Sequence, residues 1–291
     1  MPTLLMILLC YGLWFVLGFY LYPAFPVIAL MIFPIVIALH SSIQHEILHG
    51  HPTRNAVVNE ALGFLPLAIF YPYRRYRALH LKHHADPHLT DPLNDPESYY
   101  RTQHRWEALP SALKMLLHWN NTVIGRILIG PAVSVASFLA ADLQRIRSSR
   151  QIRKAWLLHL AGLAGLVCFL RLFGIPFWLY ALTSAYAGLS IIAVRSFCEH
   201  QWAESVEART IIVEKTLLSW IFLNNNLHLV HHKHPGAPWY DLPGLYAERR
   251  EAWQAMNNFY VFRSYFDIFR SFALRPKEPV IHPALPVRTA R

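Results

Sequence analysis

The residues best suited to chemistry are eight histidines in three short clusters. His228-Leu229-Val230-His231-His232 and His80-Leu81-Lys82-His83-His84 repeat one spacing, and His45-Glu46-Ile47-Leu48-His49 supplies a further pair. On a helix, positions i, i+3 and i+4 share a face, so each HxxHH cluster aims three imidazoles one way and HxxxH aims two. Neutral imidazole is a ligand suited to iron, zinc, copper or nickel. Eight such nitrogens from three separated helix ends exceed what one ordinary ion coordinates, and two metals are the economical explanation. A lone histidine near a membrane interface is ordinarily a packing or headgroup residue. The repetition of the pattern is what lifts these clusters above that reading.

The elements that must position them are mostly apolar and long. The chain has 291 residues, 54% of them hydrophobic, and a mean hydropathy of +0.26, with the apolar residues in runs rather than in a globular periodicity. Thr3 to Tyr22 is free of charge, and so is Ala24 to Leu39, extended through Ser41, Ser42, Ile43 and Gln44. A helix of about 20 residues crosses about 30 Å of hydrocarbon, so both runs can span, with Tyr22, Pro23 and Pro26 marking the turn between them. The first run lacks the basic flank and small-residue cleavage site of a signal peptide and reads as a span. Two more follow, Ala155 to Phe173, apolar apart from His159 and Arg171, and Gly174 to Val194, which carries no charge, with a turn at Gly174 and Pro176. The expected fold is therefore all-α and membrane-integral: two helical hairpins, four spans at about 3–22, 24–44, 155–173 and 174–194, interfacial helices, and a histidine-rich cap within one domain over 1–275.

Two segments between the hairpins are less regular. Ala56 to Pro72 holds Glu60 and two prolines and precedes Arg74, Arg75 and Arg77, which suits a helix lying on or dipping into the interface. Ile127 to Ala141 is charge-free but short and broken by Pro131. If it crossed, the second and third clusters would face opposite sides, so it is expected to be half-inserted. The basic residues Arg74 to Arg77, Arg145 to Lys154, Arg195 and Arg249 to Arg250 fall on the histidine side, which the positive-inside rule assigns to the cytoplasm. The net charge of +10 and pI near 9.7 fit contact with anionic headgroups and an acidic soluble partner. No nucleic-acid partner is expected. Cys10, Cys168 and Cys198 lack motif spacing and read as unpaired small hydrophobes. The segment Asp86 to Glu97 (DPHLTDPLNDPE) reads as turns, and the Pro-rich stretch 276–291 as a disordered tail.

His200, after Glu199 just past the fourth span, is a ninth candidate ligand. His51, His88 and His234 neighbour the clusters off their helical faces and read as supporting or loop residues. His40 lies about 140° round the helix from His45 and reads as a packing residue. His104, His118, His159 and His282 have no partner pattern.

HEILHGH, LHLKHH and NNLHLVHH resemble the three histidine boxes of the integral-membrane fatty acid desaturase superfamily, which includes desaturases, hydroxylases and carotenoid ketolases. The resemblance runs from the first hairpin to about Tyr246 and is closest over HLVHHKHPGAPWYDL. It implies a non-haem di-iron centre using O₂, with His45 and His49 from the first box, His80, His83 and His84 from the second, and His228, His231 and His232 from the third. Glu199-His200 is the candidate for the ligand the family often adds before the third box. Asn224 or Asn225 is the alternative, holding a metal-bound water. Glu46 and Glu199 are expected to orient imidazole N–H groups or to form ordinary ion pairs.

The implied activity is removal of hydrogen from an acyl chain. Trp202, Trp220, Trp239 and Tyr240 would line its entrance or serve as interfacial belt anchors. The sequence has no CxxC pairs and no spare globular domain, so electrons are expected from a separate carrier, a ferredoxin or a cytochrome of the b5 type. A fatty-acyl desaturase is the leading reading, with a hydroxylase or carotenoid ketolase as the rival within the class. A membrane metal transporter is the rival outside it, and the scarcity of acids within the spans argues against that.

Overall fold

In the computed structural model, which describes residues 2–284, four helices are long and apolar enough to cross a membrane: Pro2–Ala24, Pro26–Leu48, Arg150–Phe173 and Phe177–Phe197. The protein is a mostly helical, multi-pass membrane protein. The first and fourth of these helices each contain one π-helical turn, at Leu17–Leu21 and Ala181–Ala185.

Several polar atoms inside the spans find internal partners, as hydrocarbon surroundings favour. Pro34 has no N–H to offer the carbonyl four residues back, and the Ser184 hydroxyl of the fourth span donates to that Leu30 oxygen (3.4 Å). The second and fourth spans approach closely at Gly188, where a Cβ would meet Ile37 Cγ2 at 2.6 Å. Trp14 Nε1 donates to the Tyr180 hydroxyl (3.1 Å), which itself donates to the Leu67 carbonyl (3.0 Å). His40 is buried against the Tyr11 hydroxyl (3.1 Å), the packing role expected of it.

The segment expected at the interface divides in two. Ala56–Leu62 is a short helix, capped by the Asn55 side chain. Residues 63–72 then run irregularly among the spans, with Leu67 fully buried in the core built by Trp14, Phe33, Leu166 and Tyr180. Irregular backbone at that depth is tolerated only when wrapped in protein, and His159 of the third span supplies one anchor by facing the Ile69 carbonyl (2.8 Å). That gives His159 the partner its sequence context did not disclose. The short charge-free stretch after Ile127 is a helix broken at Ile129, Val123–Leu128 followed by Gly130–Arg145. It packs on the fourth span through the Ser190 and Tyr186 hydroxyls, which donate to the Ile127 and Leu128 carbonyls (2.8 and 2.6 Å).

Beyond the spans lies a cap with two smaller cores. One joins Val123, Phe197, Val213, Phe222 and Ile268; the other joins Ile212, Leu229, Val230, Leu242 and Trp253. A two-residue parallel pairing, Ile212–Val213 with Val261–Phe262, ties them together. The Pro-rich end departs from expectation in part. The Lys277 side chain is buried and that of Glu278 partly so, and Arg101 pairs with Ile281. Tyr99, Tyr100 and Asn121 all hydrogen-bond to Glu278, so polar satisfaction orders this stretch despite its prolines. Residues 285–291 of that tail lie outside the described residues.

Candidate metal centre

The second span does not stop at the edge of its apolar run. It stays helical through His45 to Leu48, and Gly50, at φ +103°, takes the left-handed turn that ends it directly after His49. Helix Tyr73–Ala85 carries the second cluster and stops before Asp86-Pro87, where a following proline disfavours helix. Helix His228–Lys233 carries the third, with Leu229 and Val230 buried in the cap on its other face. The segment after the fourth span brings in His200, which bridges to Thr210.

These elements gather all nine candidate histidines into two groups. His45, His49, His80, His84 and His231 form one, and His83, His200, His228 and His232 form the other; within each, one nitrogen per ring lies within 4.8 Å of all the rest. The groups adjoin, the rings of His84 and His232 stacking at 4.2 Å between centroids.

The hydrogen positions decide what the close nitrogens mean. His80 Nδ1 faces Glu97 Oε1 and His83 Nδ1 faces Asp95 Oδ1, both at 2.8 Å. His228 Nδ1 faces Asn225 Oδ1 at 3.1 Å. Each of these acceptors takes a ring N–H, which places a proton on Nδ1 and makes Nε2 the nitrogen that a metal would take. Yet Nε2 of His80 lies 3.0 Å from that of His84, and Nε2 of both His83 and His228 lies 3.1 Å from that of His200. Lone pairs converging in this way repel unless a cation sits among them. Adjacent ligands on one ion, with nitrogen–metal bonds of about 2.1 Å, are about 3 Å apart, so the spacing fits. His45 Nε2 and His49 Nε2 are buried with no hydrogen-bond partner among the described residues, as ligand atoms awaiting an ion would be.

Electrostatics favour the neutral, ligating form. Burial, reinforced by neighbouring imidazoles, pushes His228, His231 and His232 well below the usual histidine range and His84 down to about 2. Burial, with His83 next, does the same to His200. His83 goes the other way: burial opposes its charge, but Glu97 and Asp95 outweigh burial and raise it to about 9, so a metal bound there would displace the proton on Nε2. Those carboxylates hold the ring in place and make its free nitrogen more basic.

The orienting residues differ from those expected. Asp95 and Glu97 lie in the stretch that reads as turns, and those turns build the site. Asp95 is buried, and its carboxylate also accepts from the Thr90 and Glu97 N–H groups (2.8 and 2.9 Å). Glu46, beside the first cluster, reaches no imidazole; it accepts from the Trp239 N–H (3.3 Å) and the Thr3 hydroxyl (3.4 Å). Glu199 pairs with Arg195 (2.8 Å) and accepts from the Asn225 amide (3.2 Å), so it acts on His228 through Asn225. Asn224 turns away and donates to the Trp239 carbonyl (3.0 Å).

His51 faces the Gly236 carbonyl, His88 is exposed beside Asp86, His234 packs on Trp253, and His282 is buried against Thr90 and Tyr100. None of these, nor His104 or His118, joins either group.

A search against protein-family models matches residues 19–264 to fatty acid desaturase. The chain belongs to the fatty acid desaturase family. Among curated proteins, it is similar to an sn-1 oleoyl-lipid 12-desaturase from a Picosynechococcus species, 24% identical over 229 residues that cover 72% of this chain and 65% of the relative. It is also similar to a chloroplastic omega-6 fatty acid desaturase from Arabidopsis thaliana, 24% identical over 241 residues that cover 74% of this chain and 51% of that one. The chain thus spans between half and two thirds of the length of these relatives. The family's members are di-iron enzymes, and the two all-imidazole groups are a donor set that suits two iron ions.

Proposed function

We propose that this desaturase-family protein introduces a double bond into the acyl chain of a membrane lipid, using O₂ and electrons from a separate carrier. The observation that carries the reading is the pair of adjoining histidine groups at the end of the second span, with Nδ1 of His80, His83 and His228 each held by its own acceptor. The two relatives, named as an oleoyl-lipid and an omega-6 fatty acid desaturase, support the substrate class.

An unactivated methylene offers neither an acidic proton nor an electrophilic carbon, so no side chain here could attack it unaided. Iron bound by the two groups would supply the activation of O₂ that such a C–H bond requires. The balance closes when two hydrogens and their electrons leave the acyl chain, the carrier supplies two more electrons with two protons, and O₂ departs as two waters. The protein's own work is positioning. His45 and His49 stand at the end of a spanning helix, so the centre lies where an acyl tail can reach it from the bilayer. Asp95, Glu97 and Asn225 hold three of the rings in one tautomer, and the buried cap around Leu229 and Val230 keeps water away on that side.

The electron carrier is an acidic protein of the ferredoxin or cytochrome b5 type, docking on the basic face that bears the histidines, and that face lies in the cytoplasm by the positive-inside rule. The test is expression of the full chain in a host with a matching donor, followed by mass spectrometry of total lipids. New cis double bonds that depend on O₂ are the expected result. Hydroxylated chains or ketocarotenoids would assign the protein to the hydroxylase or ketolase branch, and metal accumulation without any oxygen-dependent product would point to a transporter.

A further inference from the structure

The second candidate span ends, and the third begins, on the histidine side of the molecule, so a bilayer crossed by both would set its headgroups near the level of Leu48 and Arg150. A cavity of about 450 Å³ lies at this level, between those two helix ends, helix Ala56–Leu62 and the start of helix Tyr73–Ala85. Five cations line it, Arg54, Arg74, Arg75, Arg77 and Lys154, against a single carboxylate, Glu60.

Two of the five are committed elsewhere. Arg74 pairs with Glu60 (2.5 Å), and Arg75 pairs with Asp142 (2.7 Å), whose other oxygen accepts from Trp156 Nε1 (2.9 Å). These pairs fix the walls. Arg54, Arg77 and Lys154 are exposed and have neither an ion pair nor a side-chain hydrogen bond among the described residues. The first turn of the 24-residue third span also faces the cavity through Gln151 and Lys154, adding the positive end of a helix dipole. Three uncommitted cations thus share one concave, half-open site. The floor is apolar, with Ile47, Leu48 and Ala155 beneath the cations.

A second cavity of about 380 Å³ shares Leu48, Gly50 and Arg77 with the first and reaches His49 and His84, two members of one histidine group. Neither cavity is lined by Trp202, Trp220, Trp239 or Tyr240, the aromatics expected at an entrance. Arg77 therefore lines both the cationic cavity and the one that reaches two members of a histidine group.

We propose that the cationic cavity binds the phosphate of an anionic phospholipid on Arg54, Arg77 and Lys154, and that this lipid carries the acyl chain presented at the His49–His84 edge. The site rests on the desaturase reading for its substrate role but not for its binding. Membrane lipid is the source of the anion, because the span ends set the cavity in the headgroup layer and its floor accepts apolar surface.

The experiment measures binding of the full-length, iron-loaded protein to vesicles of dioleoyl-phosphatidylcholine with and without dioleoyl-phosphatidylglycerol, and its competition by inorganic phosphate. The variants are R54Q/R77Q/K154Q, the milder R54Q/K154Q, and R249Q/R263Q/R270Q as an equal loss of charge away from the cavity. Expected are tighter binding to the anionic vesicles, at least a tenfold loss of that preference (~10-fold) in the first variant, a partial loss in the second, and retention in the third. Unchanged iron content in all three shows that they fold. An equal loss in the remote variant would overturn the site, as would wild-type preference in R54Q/R77Q/K154Q. Inorganic phosphate binding as tightly as the lipid would overturn the assignment to lipid. Retained anionic-lipid binding with no new double bond in any lipid would count against the desaturase reading and this substrate role together; lost binding with undiminished product would count against this site alone.

Discussion

At the scale of single residues, three of the nine candidate rings, His80, His83 and His228, are each paired through Nδ1 with a side-chain acceptor. An orienting partner is worth about 10–100-fold in metal affinity, so Asp95→Asn and Glu97→Gln should each weaken iron retention by about that factor while the helical content is unchanged. Iron per chain after dialysis against a chelator, with circular dichroism alongside, checks this. Removing a donor outright is harsher. His83→Ala takes one imidazole from the group of four and His231→Ala one from the group of five. Both variants should still insert into membranes and should give no product; wild-type turnover in either would take that residue out of the centre. Glu46→Gln should have the smaller effect of a lost contact to Trp239, because on a helix a residue next to His45 points about 100° away from it.

At the scale of elements, two placements matter most. The close approach of the second and fourth spans depends on Gly188, and a larger side chain would strike Ile37 and the Pro34 carbonyl. Gly188→Leu should lower stability by about 1–3 kcal/mol, the usual cost of overpacking, seen as a lower unfolding midpoint in detergent. Gly12→Ala is the control, since nothing lies within 4 Å of its added Cβ. The other placement is the stretch after Pro276. Lys277 Nζ donates to the His200 carbonyl, and Tyr99 lies against both that carbonyl (2.8 Å) and the Glu278 carboxylate. Ending the chain at Arg275 should release His200 and reduce iron binding at the group of four, read as a lower iron stoichiometry with membrane insertion retained. A truncated chain holding full iron would show that His200 stands without this support.

At the scale of the whole molecule, the proposed function divides the labour between apolar spans that meet lipid and a basic cap that would meet a soluble electron carrier. With a net charge of +10, encounter with an acidic electron carrier should be steered by long-range attraction. Turnover at limiting carrier should fall steeply as salt shortens the screening length from about 10 Å at 0.1 M toward about 3 Å at 1 M. Turnover indifferent to ionic strength would argue against charge-guided docking. The same division explains how one chain of this size bridges two phases: the second span delivers His45 and His49 from the lipid side, while the cap delivers the other candidate ligands from the aqueous side.

The histidine spacing and the long charge-free runs were legible in the chain itself, because helical periodicity and the length needed to cross hydrocarbon are local properties. From them came the clusters, the four spans and the grouping on one side. What only the tertiary structure decided was pairing across distance. Asp95 and Glu97 meet His83 and His80 at sequence separations of 12 and 17, and a carboxylate among Asp-Pro turns looks like any other until the chain folds back. The same holds for His159 against Ile69, for Asn225 rather than Asn224, and for the packed start of the Pro-rich tail. The division of nine rings into five and four was likewise decided in space. Sequence spacing says which side chains share a helix face, but it takes packing to say which faces meet.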